Sequence, residues 1–530
     1  MDIIEKEKKK RTILYGLLVT VLVLIGVTYA YYRITKTQTN SNVIGTRTCL
    51  NTTLTEETSE IVLSDAFPIS DEDGLKQSPF TFTLTNNCDS YVKVTIALVS
   101  EYRTSTNTAY LKDNYVKSNL STKGTNDGSS VILSTLSLGE VDTNTQGYVL
   151  KTTGLKNKEA KSFDLRLWLD SETTNEQGLN KTWKGKIVVS VVAAEYVPTF
   201  AETILANNEV KAPITTPGAA ISTADEAEFA STEDDYGTSY YFRGAVTNNY
   251  VEFANKCWRI VRVGGDGSVK LILHNDNTAG VANPCDSANN SASAAFARYS
   301  ETTYTSAFNT NYNDNAYVGF KYGTVGASDY ATTHANTNNS TILTNLEAWY
   351  NNNLKTYESV IDDNVWCNDK TNVTDETYDP WNYTPNGLGY ANNVTFYGAT
   401  QRLVSSTSGS AGGTGLSLKC NGKLSKITSK IGLITADELA FAGYAAGTTA
   451  GTGNTTTYLQ ENATDTYWWS LSPGNFYGNS ARVWIVGGSS GVFGHRSVGN
   501  TSAVRPSISL KSTTNVTGNG TSSSPFIISM

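Results

Sequence analysis

"YWWSLSPGNFYGNSARVWIVGGSSGVFGHRSVGNTSAVRPSISL", residues 467–510, alternates apolar runs with turns of Gly, Ser and Asn, and only four of its side chains are charged or imidazole groups. Apolar residues that alternate or cluster in this way are typical of core strands. We therefore expect packed β-structure here, with Arg505-Pro506 anchoring the last strand. The predicted core residues are Trp468, Trp469, Val483, Ile485, Val504, Ile508 and Leu510.

The turns between these strands carry large aromatic side chains beside Ser, Asn and Gly. This mixture is the usual composition of an adaptable binding surface, because rigid rings supply contact area and small polar groups supply flexible hydrogen bonds. An ordinary Asn/Gly-rich loop would have the same composition, so both interpretations stay open. The predicted contact residues are Asn475, Phe476, Tyr477, Asn479, Ser480, Ser489, Ser490, Phe493, His495, Arg496, Ser497 and Asn500.

The composition of the whole chain favours β-structure and argues against one class of partner. A chain of 530 residues is too long for one core, and charged residues make up only 17% of it. The formal net charge of -8 and the isoelectric point of about 5.2 disfavour nucleic-acid binding, which needs clustered Lys and Arg. We predict a mostly β protein of two or three domains, with no nucleic-acid partner, no cofactor and no metal.

The N-terminus has the pattern of a membrane-targeting segment. Five Lys or Arg residues at positions 5–11 precede an uncharged apolar run at about 13–32, which is just long enough to cross a bilayer. Residues 1–38 are therefore predicted to be a cytoplasmic basic segment and a transmembrane signal anchor. Cleavage after Ala30 would instead release a secreted protein. In both cases the bulk of the chain lies on the extracellular side.

Six cysteines agree with export, because an even number in an oxidising compartment is usually paired. No two of them have the C-x-x-C spacing of a zinc knuckle or a redox site. We expect Cys49 to pair with Cys88 and two further bridges downstream, whose connectivity the spacing leaves open. The downstream residues are Cys257, Cys285, Cys367 and Cys420.

Residues 42–197 alternate with a period of two, as in Phe80, Phe82 and Leu84, which are separated by Thr. Such strands, divided by Asn, Gly and Ser turns, predict a β-sandwich. The leader motif "GVTYAYYRITKTQTNSNVIGT" followed by this two-sheet pattern resembles secreted spore-coat and biofilm-fibre proteins of the camelysin type. The resemblance implies the sandwich fold and export.

Residues 198–238 contain three Pro residues, small residues and an acidic cluster, and they are predicted to be a linker with a possible short helix at 200–207. A second domain, α+β in class, is expected at 239–512 and a tail strand at 513–530. Its predicted strands are 250–253, 258–263 and 269–272, with "GGDGS" as the turn between the last two. Ser340 and Thr435 are expected to cap two helices.

The ordered motifs "YYFRGAV", "FANKCWRIVR", "VWCND", "GLITADEL", "YWWSLSP" and "AVRPSISL" resemble bacterial exoproteins with a C-type-lectin-like domain. This is also the fold of formylglycine-generating enzymes and of the variable proteins diversified by retroelements. The resemblance implies bridges Cys367–Cys420 and Cys257–Cys285. It also implies that the contact residues above are positions of possible diversification.

Catalytic machinery is not evident in the sequence. His274, His334 and His495 are interpreted as loop or surface residues because no partner residues accompany them. Adjacent carboxylates such as Asp437-Glu438 are expected to be solvated. The oxygen-rich segments 312–317 and 367–376 lack EF-hand spacing, which favours turn formers over calcium ligands.

These features predict a displayed protein that binds an unknown glycan or surface protein through a lectin-like head and is held to the membrane by its N-terminal helix. One alternative is a structural surface-layer or fibre-forming protein without a specific ligand. The other is an enzyme of the formylglycine-generating type, which the absence of any cysteine after Cys420 disfavours. We therefore predict that the protein is not an enzyme.

Overall fold

A computed structural model describes residues 51–56, 61–63, 66–142, 145–212, 221–300, 302–383, 385–407, 412–445 and 454–529 of the chain. The chain divides into two compact units, Met1–Tyr196 and Val197–Met530. The predicted membrane segment at 1–38 lies outside the described residues, as does Cys49. Within the described ranges, no helix has both the length and the apolar character needed to cross a bilayer.

The first unit is built from strands and two one-turn helices, α1 (Asp71–Gly74) and α2 (Asn175–Gly178). Its strands are β1 (Thr52–Glu56), β2 (Ile61–Leu63), β3 (Pro68–Ile69), β4 (Phe80–Asn86), β5 (Val92–Ser100), β6 (Val116–Thr122), β7 (Val131–Ile132), β8 (Leu138–Asp142), β9 (Thr145–Leu155), β10 (Ala160–Asp170) and β11 (Trp183–Ala193). One sheet has the order β1-β4-β10-β6-β7 with β3 beside β10, and the other has the order β2-β11-β5-β9-β8.

The two sheets share one hydrophobic core, which is the arrangement of the predicted β-sandwich. Phe82 of β4 and Phe163 of β10 come from the first sheet, and Ile96 of β5 and Leu155 of β9 come from the second; all four belong to the same buried cluster. The period-two pattern explains this, because every second side chain of a strand points to the same face.

The second unit combines two larger sheets with helices. Its helices are α3 (Phe200–Ala206), α4 (Tyr330–His334), α5 (Thr341–Asn353), α6 (Gly398–Leu403) and α7 (Ala436–Phe441). Its strands are β12 (Val210–Lys211), β13 (Ala227–Asp234), β14 (Gly237–Gly244), β15 (Tyr250–Phe253), β16 (Lys256–Val263), β17 (Val269–Asn275), β18 (Thr305–Ala307), β19 (Lys321–Tyr322), β20 (Asn338–Asn339), β21 (Asn364–Cys367), β22 (Thr395–Phe396), β23 (Lys426–Ser429), β24 (Trp468–Tyr477), β25 (Ser480–Val486), β26 (Phe493–Ser497), β27 (Thr501–Ala503), β28 (Ser507–Leu510), β29 (Val516–Thr517) and β30 (Phe526–Ile528).

One sheet of this unit has the order β12-β13-β14-β16-β15-β30-β29, and β17 joins β16 to β28. Another has the order β18-β27-β24-β25-β26, with β22 paired to β24. Short pairs form between β19 and β20 and between β21 and β23. A continuous buried cluster contains side chains from both larger sheets and from α3, α5, α6 and α7, so they form one core.

Local sequence signals account for several elements of this unit. The Gly264 amide bonds to the Ser268 carbonyl at 2.8 Å and closes the predicted "GGDGS" hairpin between β16 and β17. The Ser340 hydroxyl accepts from the Leu343 amide at the start of α5. Thr435 forms a reciprocal capping box with Glu438 at the start of α7. The three predicted strands and both capped helices are confirmed, although β16 and β17 extend beyond their predicted ends.

The prediction of a linker at 198–238 is wrong for much of this range, because its described residues belong to the fold of the second unit. Strand β13 pairs along its full length with β14 in the larger sheet. Helix α3 is the short helix expected near residue 200, and the Phe200 ring lies 5.2 Å from the Phe526 ring of β30. The C-terminal tail pairs with β15 through Val251 and Phe526. The second unit thus begins near residue 197 and includes the tail.

Disulfides Cys257–Cys285 and Cys367–Cys420 are present, with Cα–Cα distances of 5.0 and 5.5 Å. They confirm the pairing implied by the resemblance. Cys88 is also disulfide-bonded, but the prediction that it pairs with Cys49 concerns a residue outside the described part of the chain. The bridges are those of a protein that folds in an oxidising environment.

Candidate ligand-binding face

The stretch at residues 467–510 supplies β24, β25, β26 and β27 of the sheet that contains β22, and it ends in β28 of the other large sheet. Strands β24 and β25 are joined by the two-residue turn Gly478-Asn479, whose φ angles are 60° and 62°. Two consecutive left-handed residues define a type I′ hairpin turn, for which Gly and Asn are the favoured residues. This turn fixes which side chains of the hairpin lie opposite each other.

The register places several polar and aromatic side chains on one side of the sheet. Asn475 of β24 lies opposite both Phe396 of β22 and Arg482 of β25, and Arg482 lies opposite Ser497 of β26. Directly paired residues share a face, and so do residues two apart in a strand. We call this side the Asn475 face; it carries Asn475, Tyr477, Ser480, Arg482, Trp484, Phe493, His495 and Ser497. Trp484 and Phe493 are buried members of it.

The opposite side of the sheet packs into the main core. The seven predicted core residues of the stretch are all buried, and Arg505 is buried with its Nε donating to the Leu273 carbonyl at 2.9 Å. Phe476 is only 1% exposed and Phe493 only 5%, so neither ring is presented at the surface as predicted. Alternation turns Phe476 inward opposite Ala481. Phe493 lies instead on the side of His495, two residues away in β26, and is buried against Trp484 with 4.8 Å between ring centroids.

The remaining ten predicted contact residues do not form a single surface. Asn475 is buried; Tyr477, Ser480, His495, Arg496 and Ser497 are half-buried; Asn479, Ser489, Ser490 and Asn500 are exposed. Ser489 and Ser490 lie in the turn at the other end of β25 from Asn479. Arg496 is paired with Val483, on the opposite side of the sheet, and its guanidinium carbon lies 4.8 Å from the Tyr467 ring centroid.

Two aromatic residues that the sequence reasoning missed complete the Asn475 face. The Trp381 ring lies 4.6 Å from the His495 ring, and the Tyr383 ring stacks on Tyr477 at 3.5 Å with an interplanar angle of 12°. Trp381, Tyr383, Tyr477 and His495 are all only partly buried. The triplet "WNY" at 381–383, set between two Pro residues, was the signal in the sequence that could have identified them.

Beside these rings lies a group of polar atoms without partners. Asn475 is fully buried, yet neither its side-chain nitrogen nor its oxygen has a hydrogen-bond partner among the described residues. The Nε of Arg482, directly opposite in the register, is likewise buried and unpartnered. A buried polar group left unsatisfied costs about 1–3 kcal/mol, so three such atoms on neighbouring positions are a substantial cost to the fold.

The Asn475 face carries one positive charge, that of Arg482. Burial, together with the nearby Arg482 charge, lowers the pKa of His495 to about 4, so its imidazole is neutral at physiological pH. Arg482 is half-buried, and no ion pair or hydrogen bond to its side chain occurs among the described residues. The face therefore offers one unpaired guanidinium, one unpaired carboxamide and several rings.

The acidic pair Asp437-Glu438 is buried, which corrects the expectation that it is solvated. Glu438 accepts from Arg262 and Lys270 at 2.9 and 2.7 Å. Burial raises the pKa of Glu438, but these two cations outweigh it and hold the pKa at about 2. Arg402 similarly bridges Asp437 and Asp369. Each of these buried carboxylates is paired with a cation, and removing one partner would leave an uncompensated buried charge at a cost of about 3–5 kcal/mol.

The interpretation of the histidines as loop or surface residues is wrong for His274 and His334, and His495 lies in strand β26 with its side chain partly buried. His274 lies in β17 and His334 in α4, and both side chains are fully buried. Burial and the nearby Lys370 charge lower the pKa of His334 to about 3. Its Nε2 lies 2.8 Å from the Gly389 carbonyl oxygen, to which it donates as a neutral ring.

The oxygen-rich segments contain turn and cap hydrogen bonds. The Asp314 carboxylate accepts from the amides of Ala316 and Gly326 at 2.8 and 2.9 Å. Asp375 accepts from the amide and hydroxyl of Thr377. No group of three or more His, Cys, Asp or Glu side chains within the described ranges is placed to hold a metal ion.

No protein-family model matches the chain, and no curated protein matches it. The resemblances to camelysin-type proteins and to C-type-lectin-like domains stay predictions from the sequence motifs.

Proposed function

We propose that the chain is a cell-surface or secreted ligand-binding protein, and that its second unit binds a glycan or protein ligand through the Asn475 face. The unsatisfied atoms of Asn475 and Arg482 beside partly buried aromatic rings carry this proposal. Binding sites usually combine apolar and aromatic walls with a few polar groups that fix the orientation of the ligand. The two disulfides support an extracellular location for this unit.

Binding of the full-length chain to a glycan array and to whole cells tests the proposal. Replacing Trp381 or Tyr477 by Ala should weaken the strongest interaction by about tenfold or more, because aromatic anchors dominate binding energies. Tyr236→Ala is the matched control, since this ring is 57% exposed and lies elsewhere on the unit. Thermal unfolding of each variant separates lost binding from lost folding.

Unchanged binding by the folded Trp381→Ala and Tyr477→Ala variants would overturn the proposed site. An equal loss in Tyr236→Ala would do the same, because it would show that any exposed ring contributes. If the wild-type chain binds neither the array nor cells and instead forms fibres, the structural alternative replaces the ligand-binding function.

A further inference from the structure

We propose that the Asn475 face binds an acidic sugar, in which a carboxylate lies close to hydroxyl groups. This inference rests on the proposed function and specifies its ligand class. It is carried by the placement of Asn475 opposite Arg482, both with unmade hydrogen bonds, among the partly buried rings of Trp381, Tyr383 and Tyr477.

The guanidinium selects the carboxylate. Arginine binds carboxylates through two parallel N–H groups, and the unpartnered Nε of Arg482 is one of the donors used in that geometry. The Asn475 amide nitrogen, on the neighbouring strand, supplies a further donor. With no carboxylate of the described chain paired to Arg482, the charge remains available for an anionic ligand.

The carboxamide oxygen and the rings favour a sugar over other carboxylates. The Asn475 oxygen is also unpartnered, so a ligand that satisfies the whole side chain must bring a donor as well as an acceptor. A uronic or sialic acid has hydroxyl donors fixed near its carboxylate, and the apolar C–H face of its ring can pack on an aromatic side chain. An acidic peptide has the carboxylate but no comparable hydroxyl.

Access to Asn475 requires the aromatic segment to shift. Asn475 is fully buried, and the ring contacts Trp381–His495 and Tyr383–Tyr477 hold the 381–383 segment against the face. Aromatic pairs of this kind contribute only modestly beyond their buried area. Hydrogen bonds made by the ligand to three unsatisfied atoms can offset the loss of two such contacts.

The test compares sugars that differ only in the carboxylate, with the full-length chain and calorimetric titration. The probes are trigalacturonate against its methyl ester, and 3′-sialyllactose against lactose. At least one acid should bind about tenfold or more tightly than its neutral counterpart. Arg482→Gln should abolish that preference, and Arg482→Lys should restore only part of it because an ammonium lacks the two-pronged geometry.

Two further variants separate this role from a structural one. Asn475→Leu should weaken acid binding by about tenfold while its thermal unfolding midpoint is no lower than that of the wild type. Arg496→Gln is the charge-matched control, because Arg496 lies on the other side of the sheet, and it should leave the preference unchanged.

Equal binding of acid and neutral probes, or acid binding that survives Arg482→Gln, would overturn the inference. Tighter binding of polyglutamate than of either acidic sugar, with the same dependence on Arg482, would also overturn it in favour of an acidic protein ligand. If no probe binds while the array or cells still bind through Trp381 and Tyr477, the inference fails and the proposed function stands. If the wild-type chain binds neither the acidic probes nor the array or cells, both the inference and the proposed function fail.

Discussion

Two buried polar side chains, one in each unit, differ in whether their hydrogen bonds are satisfied. In the sandwich, the Asp113 carboxylate accepts hydrogen bonds from Ser100 Oγ, Tyr148 OH and Trp183 Nε1, all at 2.7 Å. In the second unit, Asn475 is at least as deeply buried and has no hydrogen-bond partner among the described residues. A satisfied polar group helps to specify its surroundings, whereas an unsatisfied one lowers stability and suggests that another molecule completes it.

The largest expected effect is on Asp113. Asp113→Ala removes the shared acceptor of three buried donors, and each unsatisfied donor costs about 1–3 kcal/mol. We expect the free energy of unfolding of the first unit to fall by about 4 kcal/mol, measured by urea denaturation of the full-length chain. Asp89→Ala, which removes an exposed carboxylate, is the control and should cost less than about 0.5 kcal/mol. Similar losses in the two variants would contradict the structural role of Asp113.

Lys370 is intermediate between these two cases, because its buried ammonium has hydrogen bonds but no ion-pair partner among the described residues. Its Nζ donates to the carbonyls of Lys321 and His334 at 3.0 and 2.8 Å and to Asn336 Oδ1 at 2.7 Å. Burial lowers the pKa of Lys370 from 10.5 to about 7. The ring of the adjacent His334, with a pKa near 3, does not titrate between these values.

This lowered pKa predicts stability that rises with pH. Between pH 7 and 10.5 the folded chain has released the Lys370 proton while the unfolded chain still holds it, so alkali favours the folded state. Below pH 7 both states are protonated and the full cost of burying the charge remains. Relative to the non-titrating Lys370→Met variant, the free energy of unfolding should rise by about 3 kcal/mol from pH 7 to 9.5. Parallel pH profiles of the two proteins would show that the ammonium keeps its ordinary pKa.

The predictable parts of the fold are those encoded by adjacent residues. Capping at Ser340 and Thr435, and the alternation that buries Phe82 and Leu84, need only a few neighbouring positions. The acidic cluster at 233–236 was misread as linker because its role depends on a distant partner. Asp234 ends β13 at a hairpin and pairs with Arg262 at 2.8 Å.

The candidate site also contains some residues that local sequence predicts and others that depend on distant parts of the chain. Composition identified Tyr477 and His495, but it could not separate them from Phe476, because which side of the sheet a residue occupies depends on the register of the hairpin. Trp381 and Tyr383 reach the face from about ninety residues earlier in the chain, which no local pattern reveals. The sequence does not identify Arg482 as a contact residue, because it lies between core residues. In the structure, its unpartnered Nε and its position opposite Asn475 identify it.

The smallest expected effect is a gain in stability on replacing Asn475. It tests the contrast between Asp113 and Asn475 most directly. Leu has nearly the same shape as Asn, so Asn475→Leu removes two unsatisfied polar atoms without leaving a cavity. We expect the free energy of unfolding of the second unit to rise by about 1 kcal/mol in urea denaturation.

The matched control is another fully buried asparagine of the same unit. Asn315 donates to the carbonyls of Ala391 and Asn393 and accepts from Tyr397 OH, so Asn315→Leu leaves those partners unsatisfied and should cost about 2 kcal/mol or more. The same substitution is therefore expected to raise the free energy of unfolding at Asn475 and to lower it at Asn315, and this difference in sign is the decisive measurement. A comparable loss in both variants would mean that Asn475 is satisfied in solution, and the argument that a ligand completes its hydrogen bonds would lose its basis.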